Sequence, residues 1–149
     1  MSKWLAPGIL IAFMTFAVSG CSNGQFSGEM PLSEEQTQKI GKYTADIEAR
    51  PKSPDAYYRR GKIYCISGRY AQSIPDFDKA IELKMEGLSP ITIADSYALR
   101  VVAHFETGDR NRALADFKQA LQRDQTNIYA EAYLEKAGEG HRIDEYRKK

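Results

Sequence analysis

Hydrophobic residues are distributed in two different ways along this chain. From Leu5 to Val18 they run without a charged interruption, and Lys3 is the only charged side chain ahead of them. After Leu32 apolar residues recur every three to four positions instead, which places them on one face of successive helices. No stretch alternates convincingly with the period of two that a half-buried strand requires. The pattern predicts an all-α domain of about six helices.

Capping chemistry divides the periodic region. Ser33-Glu34-Glu35-Gln36 fits a capping box, in which the serine and glutamine side chains satisfy free backbone N–H groups of the first turn. A first helix runs from there to about Ala49, stopped ahead of Pro51. Ser53-Pro54 reads as a cap followed by a ring-fixed first helical residue, and Gly68 is placed to end this second helix in the left-handed conformation. A third helix is expected from about Tyr70 to Met85 and a fourth from about Pro90 to Thr107, followed by a Gly108-Asp109 turn. A fifth spans about Arg110 to Arg123 and a sixth about Ile128 to Ala137, ahead of Gly138 and Gly140. Residues 138–149 read as a polar C-terminal tail.

The chain repeats itself. Tyr57, Gly61, Tyr64, Gly68, Phe77, Ala80 and Ile81 recur 40 residues later as Tyr97, Val101, His104, Gly108, Phe117, Ala120 and Leu121. Each set consists of an aromatic, a small or slim residue four later, a ring three after that, and a small-x3-Phe pattern in the next helix: Ser73 and Phe77, then Ala113 and Phe117. This frame resembles the tetratricopeptide repeat, a helical hairpin that stacks into an α-solenoid. The resemblance implies a half-repeat over 33–51, full repeats over 54–85 and 90–125, and a capping helix over 128–137.

Departures from the frame are specific. The closing proline of a repeat is Met85 in the first copy and Gln125 in the second. Pro75 falls inside a second helix, where it should delay the start or bend the axis. Val101 stands where the first copy has Gly61, so that pair of helices should be spaced slightly wider. The family period is ~34 residues, so a spacing of 40 implies roughly six inserted residues between the copies. Two placements compete: one extra turn at the front of the fourth helix from Pro90, or a longer loop, with Thr92-Ile93-Ala94-Asp95 as a later capping box.

Composition adds the anchor. A helix over Leu5–Val18 would reach only ~21 Å, short of the ~30 Å hydrocarbon core of a bilayer, and fits a signal peptide over residues 1–20 better than a permanent span. That run closes on Val18-Ser19-Gly20-Cys21, which resembles the lipobox of bacterial lipoproteins. The resemblance implies cleavage before Cys21 and acylation of its sulfur, with a palmitate-type anchor on the membrane. Ser22 rather than aspartate follows the cysteine, which in that family implies an outer-membrane address facing the periplasm if the cell has two membranes. Residues 21–32, rich in glycine and polar side chains, read as a flexible tether with a typical end-to-end distance of ~18 Å and a limit of ~37 Å. Cys65, the only other cysteine, then has no partner and belongs in the helical core.

Charge narrows the partners. Lys3 departs with the leader and no acidic residue does, which leaves the 20 acidic residues balanced by as many basic ones. A formally neutral chain argues against a nucleic-acid surface. In the repeat family the first helix of each hairpin lines a groove that receives peptides or helices. The matching positions here are Asp55, Tyr58, Lys62 and Cys65, then Asp95, Ala98, Val102 and Phe105, then Tyr129, Ala132 and Lys136. Val102 and Phe105 fit equally well as side chains buried under neighbouring helices.

Little points to catalysis. His104 takes an aromatic core place and His141 lies in the tail, so neither has a ready partner for metal binding or base chemistry. There is no phosphate loop and no HExxH pattern. Asp76, Asp78 and Asp116, with the lysines beside them, read as solvated helix faces. The expectation is a membrane-anchored scaffold for a protein partner of the bacterial envelope, with no catalytic residues, metal or cofactor. The alternative is a self-associating structural lipoprotein, and a hydrolase is the remoter reading. No motif chooses among pilus or secretin assembly, wall remodelling and secretion.

Overall fold

The computed structural model describes residues 29–83 and 90–147. The expected signal peptide, Cys21, most of the expected tether, residues 84–89 with the expected end of the third helix at Met85, and Lys148-Lys149 lie outside the described residues. Among those described there are seven α-helices and no strand: α1 (Glu34–Ala49), α2 (Pro54–Ile66), α3 (Tyr70–Glu82), α4 (Pro90–Glu106), α5 (Arg110–Arg123), α6 (Ile128–Lys136) and α7 (Ile143–Arg147), the last preceded by a 3₁₀ turn at Gly140–Arg142. The fold is a short tetratricopeptide-like α-solenoid of antiparallel helical hairpins.

Local chemistry accounts for the helix ends. Ser33 Oγ accepts from the Gln36 backbone N–H at 3.1 Å while Gln36 Oε1 accepts from the Ser33 N–H at 2.9 Å, so the capping box is complete. Ser53 does not cap through its side chain; Pro54 alone, with its fixed φ and no N–H to satisfy, opens α2. Asp109 and Asn127 supply side-chain caps to α5 and α6, accepting from Arg112 and Ala130.

Three hairpin turns share one device. Gly68, Gly108 and Gly138 adopt φ of 73°, 88° and 79°, a region closed to most side chains. The residue after each glycine donates back to the carbonyl five positions earlier: Arg69 to Tyr64 at 2.8 Å, Asp109 to His104 at 2.8 Å and Glu139 to Leu134 at 3.0 Å. The third turn corrects the expectation of a polar tail. Beyond Gly138 the chain becomes helical again, packs back onto α5, and buries Tyr146 to 7% exposure with Ile143 against the same core. Helix α7 is a truncated second helix of a third hairpin, which is why the structure holds seven helices instead of six.

The insertion also takes a definite form. Helix α4 has 17 residues against 13 for α2. Since α4 begins at Pro90 and not after Thr92, one extra turn stands at its front. Pro75 neither delays nor ends α3, which starts at Tyr70. Ala71, whose carbonyl loses its donor to the proline ring, is exposed to water.

Two apolar clusters fill the stack. Phe77 and Ala80, both fully buried, pack with Tyr58, Cys65, Leu99 and Val102 where α2, α3 and α4 meet. Val101, Phe117, Ala120, Leu121, Ala130, Leu134 and Tyr146 join α4 through α7. Gly61 marks the closest approach: a Cβ there would stand 3.0 Å from Asp76 Cβ and 3.2 Å from Phe77 Cε1. Val101, at the equivalent place, is itself fully buried in the second cluster. Helix α1 contributes no fully buried side chain, and Ile40, Tyr43 and Ile47 are half-covered.

Removing residues 143–149 should lower unfolding free energy by about 2–4 kcal/mol, since it strips the Tyr146 and Ile143 side chains from the second cluster. Urea denaturation followed by circular dichroism reads this directly; an unchanged midpoint is the result a solvated tail would give.

Candidate partner-binding groove

Helices α2, α4 and α6 lie side by side and parallel. At their N-terminal ends Tyr58, Asp95 and Asn127 form a polar chain: the Asn127 amide donates to Asp95 Oδ1 at 2.9 Å, and the Tyr58 hydroxyl lies 3.5 Å from Asp95 Oδ2. Asn127 Oδ1 meanwhile accepts from the Ala130 N–H at 3.0 Å, so one side chain both starts α6 and ties it to α4. Burial, with the Asp95 carboxylate beside it, pushes the Tyr58 phenol up to about 12. It is therefore a neutral donor at neutral pH.

At the C-terminal ends a second cluster closes the row. Lys136 Nζ stands 2.5 Å from Glu106 Oε1 and lies over the rings of Phe105 and Tyr133, which meet edge-on with centroids 6.0 Å apart. Burial and then Glu106 push the Tyr133 phenol up to about 12. The Cys65 thiol is raised to about 12 by the same two causes and donates to the Leu99 carbonyl at 3.6 Å. That thiol stays protonated and serves the core.

The positions expected in the groove divide on this geometry. Lys62, whose ammonium lies 5.9 Å from the Tyr58 ring centroid, Tyr129 and Lys136 remain accessible, and Asp55 is engaged by Arg59 of its own helix at 2.7 Å. Tyr58 and Asp95 are internal struts rather than free contacts. Val102, at 6% exposure, belongs to the core with Leu99. Phe105 is wedged at the α4–α5–α6 junction, under the guanidinium of Arg110 as well as Lys136. Val102 takes the burial reading, packed among Tyr58, Cys65, Phe77 and Ala80 of α2 and α3, while Phe105 is partly buried, against α5 and α6.

Two ionic clasps bury two of the three aspartates expected on solvated helix faces. Arg60 grips Asp76 with two parallel bonds of 2.9 and 2.7 Å and reaches Thr44 Oγ1 at 3.1 Å. Arg100, 40 residues later, grips Asp116 at 2.7 and 2.7 Å and reaches Asp78 Oδ1 at 2.6 Å. The Asp76 and Asp116 side chains are 5% and 7% exposed, so both are buried carboxylates, whereas Asp78 is exposed as expected. Each arginine thus ties the first helix of its hairpin to the second, and both to the helix before. Asn127 and these arginines carried a signal in the sequence: an asparagine just ahead of an apolar helix, and an Arg and Asp pair that recurs at the repeat spacing.

His104 lies 3.9 Å from Asp116 beside Arg100, facing an open cleft of about 360 Å³ also lined by Asp78, Arg112 and Ala115. Burial lowers its pKa below 6.5, with Arg100 acting in the same direction and Asp116 opposing. Among the described residues no three metal-ligating side chains converge. No described helix is long and apolar enough to cross a membrane.

Comparison with known families finds the tetratricopeptide repeat twice, over residues 54–84 and over residues 94–127. The second match begins four residues after α4 does, so the extra turn precedes the repeat proper. No curated protein matches the chain.

Two outcomes follow from the clasps and the histidine. Arg100→Met alone should cost about 3–5 kcal/mol by stranding Asp116, and the double variant Arg100→Met/Asp116→Leu should recover most of it; chemical denaturation of the three proteins decides. For His104 the folded state holds the neutral ring, so the unfolded chain takes up a proton first as pH drops. Its contribution is intact above 6.5 and is lost as pH falls through the lower folded value. His104→Tyr, which restores the residue that Tyr64 supplies in the first hairpin, should flatten the stability profile below pH 6.5.

Proposed function

We propose that this chain, which carries two tetratricopeptide repeats, is a lipid-anchored scaffold of the bacterial envelope that binds a protein partner along α2, α4 and α6. Repeats of this kind are generally non-enzymatic binding modules. The observation that carries the reading is the row of three parallel first helices, fixed at both ends by polar clusters, with Lys62, Tyr129 and Lys136 left accessible between and beside them. A surface that combines an aromatic side chain with long cations over a rigid frame suits recognition of a peptide or helix.

The anchor rests on Val18-Ser19-Gly20-Cys21 and on the uncharged run before it. One acyl chain holds a protein only marginally and two or more hold it firmly, so a processed Cys21 gives durable attachment. Ser22 supports an outer-membrane destination facing the periplasm in a cell with two membranes.

A photo-activatable residue placed at Tyr129 or Lys62 should cross-link to a distinct protein in intact cells, while one at Lys118, exposed on α5, should not. Lys62→Glu with Tyr129→Ala should abolish that adduct and leave the helical signal unchanged. Recovery of cross-links only between copies of this chain would transfer the case to the self-associating structural reading. Separately, Cys21→Ser should release the protein from the membrane fraction, and its retention there would remove the lipid anchor.

A further inference from the structure

The structure fixes where the chain enters the domain. Helices α1 and α2 run antiparallel: Arg60 of α2 reaches Thr44 of α1, and Arg69, just past α2, pairs with Glu29, just ahead of α1, at 2.7 Å. Entry is therefore at the edge where α2 turns into α3. The turns from α4 to α5 and from α6 to α7 stand on the same edge, since Lys136 pairs with Glu106 and Arg110 donates to the Ala137 carbonyl at 3.0 Å. Tyr58, Asp95, Asn127 and Tyr129 mark the opposite edge.

Length decides what this pin does. Glu29 lies only eight positions after Cys21, a reach of at most ~27 Å. Helix α4, with 17 residues, makes the domain ~26 Å deep between its two edges. Without the pin, the longer span back to Ser33 could lay either edge on a membrane. With Glu29 held at the turn edge, the far edge reaches the lipid only by stretching the whole span flat along the domain. Two large apolar side chains also stand exposed at the entry, Met30 at 59% and Ile66 at 56%. Arg110, Arg112 and Arg142 lie on the same edge, but Asp109, Glu139 and Glu145 pair with the last two, so charge does not favour this face; since Ile128 and Tyr129 are exposed on the opposite edge, the pin at Glu29 decides between the two.

We infer that the turn edge, led by Met30 and Ile66, rests on the lipid surface that holds Cys21, and that the Tyr129 edge of the groove faces away from it. This inference depends on the lipid-anchor reading of Cys21. Under it, α2, α4 and α6 stand upright on the membrane, with their N-terminal ends outward. A partner approaching from the aqueous side meets Ile128 and Tyr129 first, and Lys136 stands nearest the headgroups.

The chain after Cys21 contains no tryptophan, since Trp4 is the only one and lies in the leader. Single tryptophans can thus report depth at exposed sites where the substitution leaves the core alone. Acylated Ile66→Trp and Ile128→Trp proteins, purified from membranes, would be reconstituted into phosphatidylethanolamine–phosphatidylglycerol vesicles with brominated acyl chains. Emission from Ile66→Trp should be quenched about two-fold or more, as for a side chain at the headgroup–acyl boundary, and that from Ile128→Trp should match unbrominated vesicles. A protein that floats with the vesicles while Ile128→Trp is quenched as strongly as Ile66→Trp, or while Ile66→Trp is unquenched, overturns the orientation alone. A protein that fails to float overturns the anchor reading and the orientation together.

Discussion

Arg60 and Arg100 each hold three helices at one point, and the hairpin stack is arranged around them. A guanidinium offers five N–H donors in a rigid fork. Here two of its bonds take the carboxylate of the hairpin's second helix, and a third reaches back to the preceding helix, to Thr44 in one case and Asp78 in the other. Burying an ion pair costs several kcal/mol of lost hydration per ion, and the fork's geometry is what offsets that cost. The same requirement fixes the angle between neighbouring helices more tightly than apolar packing does, since leucine-like contacts tolerate sliding and a bidentate pair does not.

The clasp stops where the stack stops. Stepping 30 residues from Arg100 and Asp116, the spacing that relates Gly108 to Gly138, leads to Ala130 and Tyr146, both buried. An aromatic ring replaces the ion pair and packs a helix of only five residues against α5. Arg147 then reaches Glu131 and the Gln125 carbonyl, which secures the end of that short helix from the outside. At the other end α1 has Thr44 as its polar link and no fully buried side chain. Both ends are therefore half-built hairpins, one tied by a hydrogen bond from Arg60 to the Thr44 hydroxyl and one closed by an aromatic, which suits a solenoid whose terminal units must present a solvated face.

What could be seen in the sequence was what depends on neighbours in the chain. The glycine turns, the Ser33–Gln36 box and the aromatic-small frame are local, and their spacing states their role, whereas the two capping signals at Pro90 and Thr92 left the place of the insertion open. Asp76 and Asp116 were opaque because their flanks, Asp78, Lys79 and Lys118, are charged, and the partner that buries each lies 16 residues away on another helix. Tyr146 was hidden by the charged residues around it: helical periodicity over five residues is too short to read. Val102 and Phe105 fell on the expected face of α4. How far each is covered was decided by the helices packed against α4, with α2 and α3 over Val102 and α5 and α6 over Phe105, which repeat alignment does not encode.

Rigidity is what links these features to binding. A partner that docks on α2, α4 and α6 pays no cost for ordering them if their relative positions are already fixed. Asp95 does this at one end by holding Tyr58 of α2 and Asn127 of α6 together, and Glu106 does it at the other through Lys136. Neither carboxylate is on offer to a ligand. In the proposed groove, contact with a partner would therefore fall to side chains that the frame supports without consuming, chiefly Tyr129 and Lys62, and the sequence positions that matter most for the shape of this face are different from those that would touch a partner.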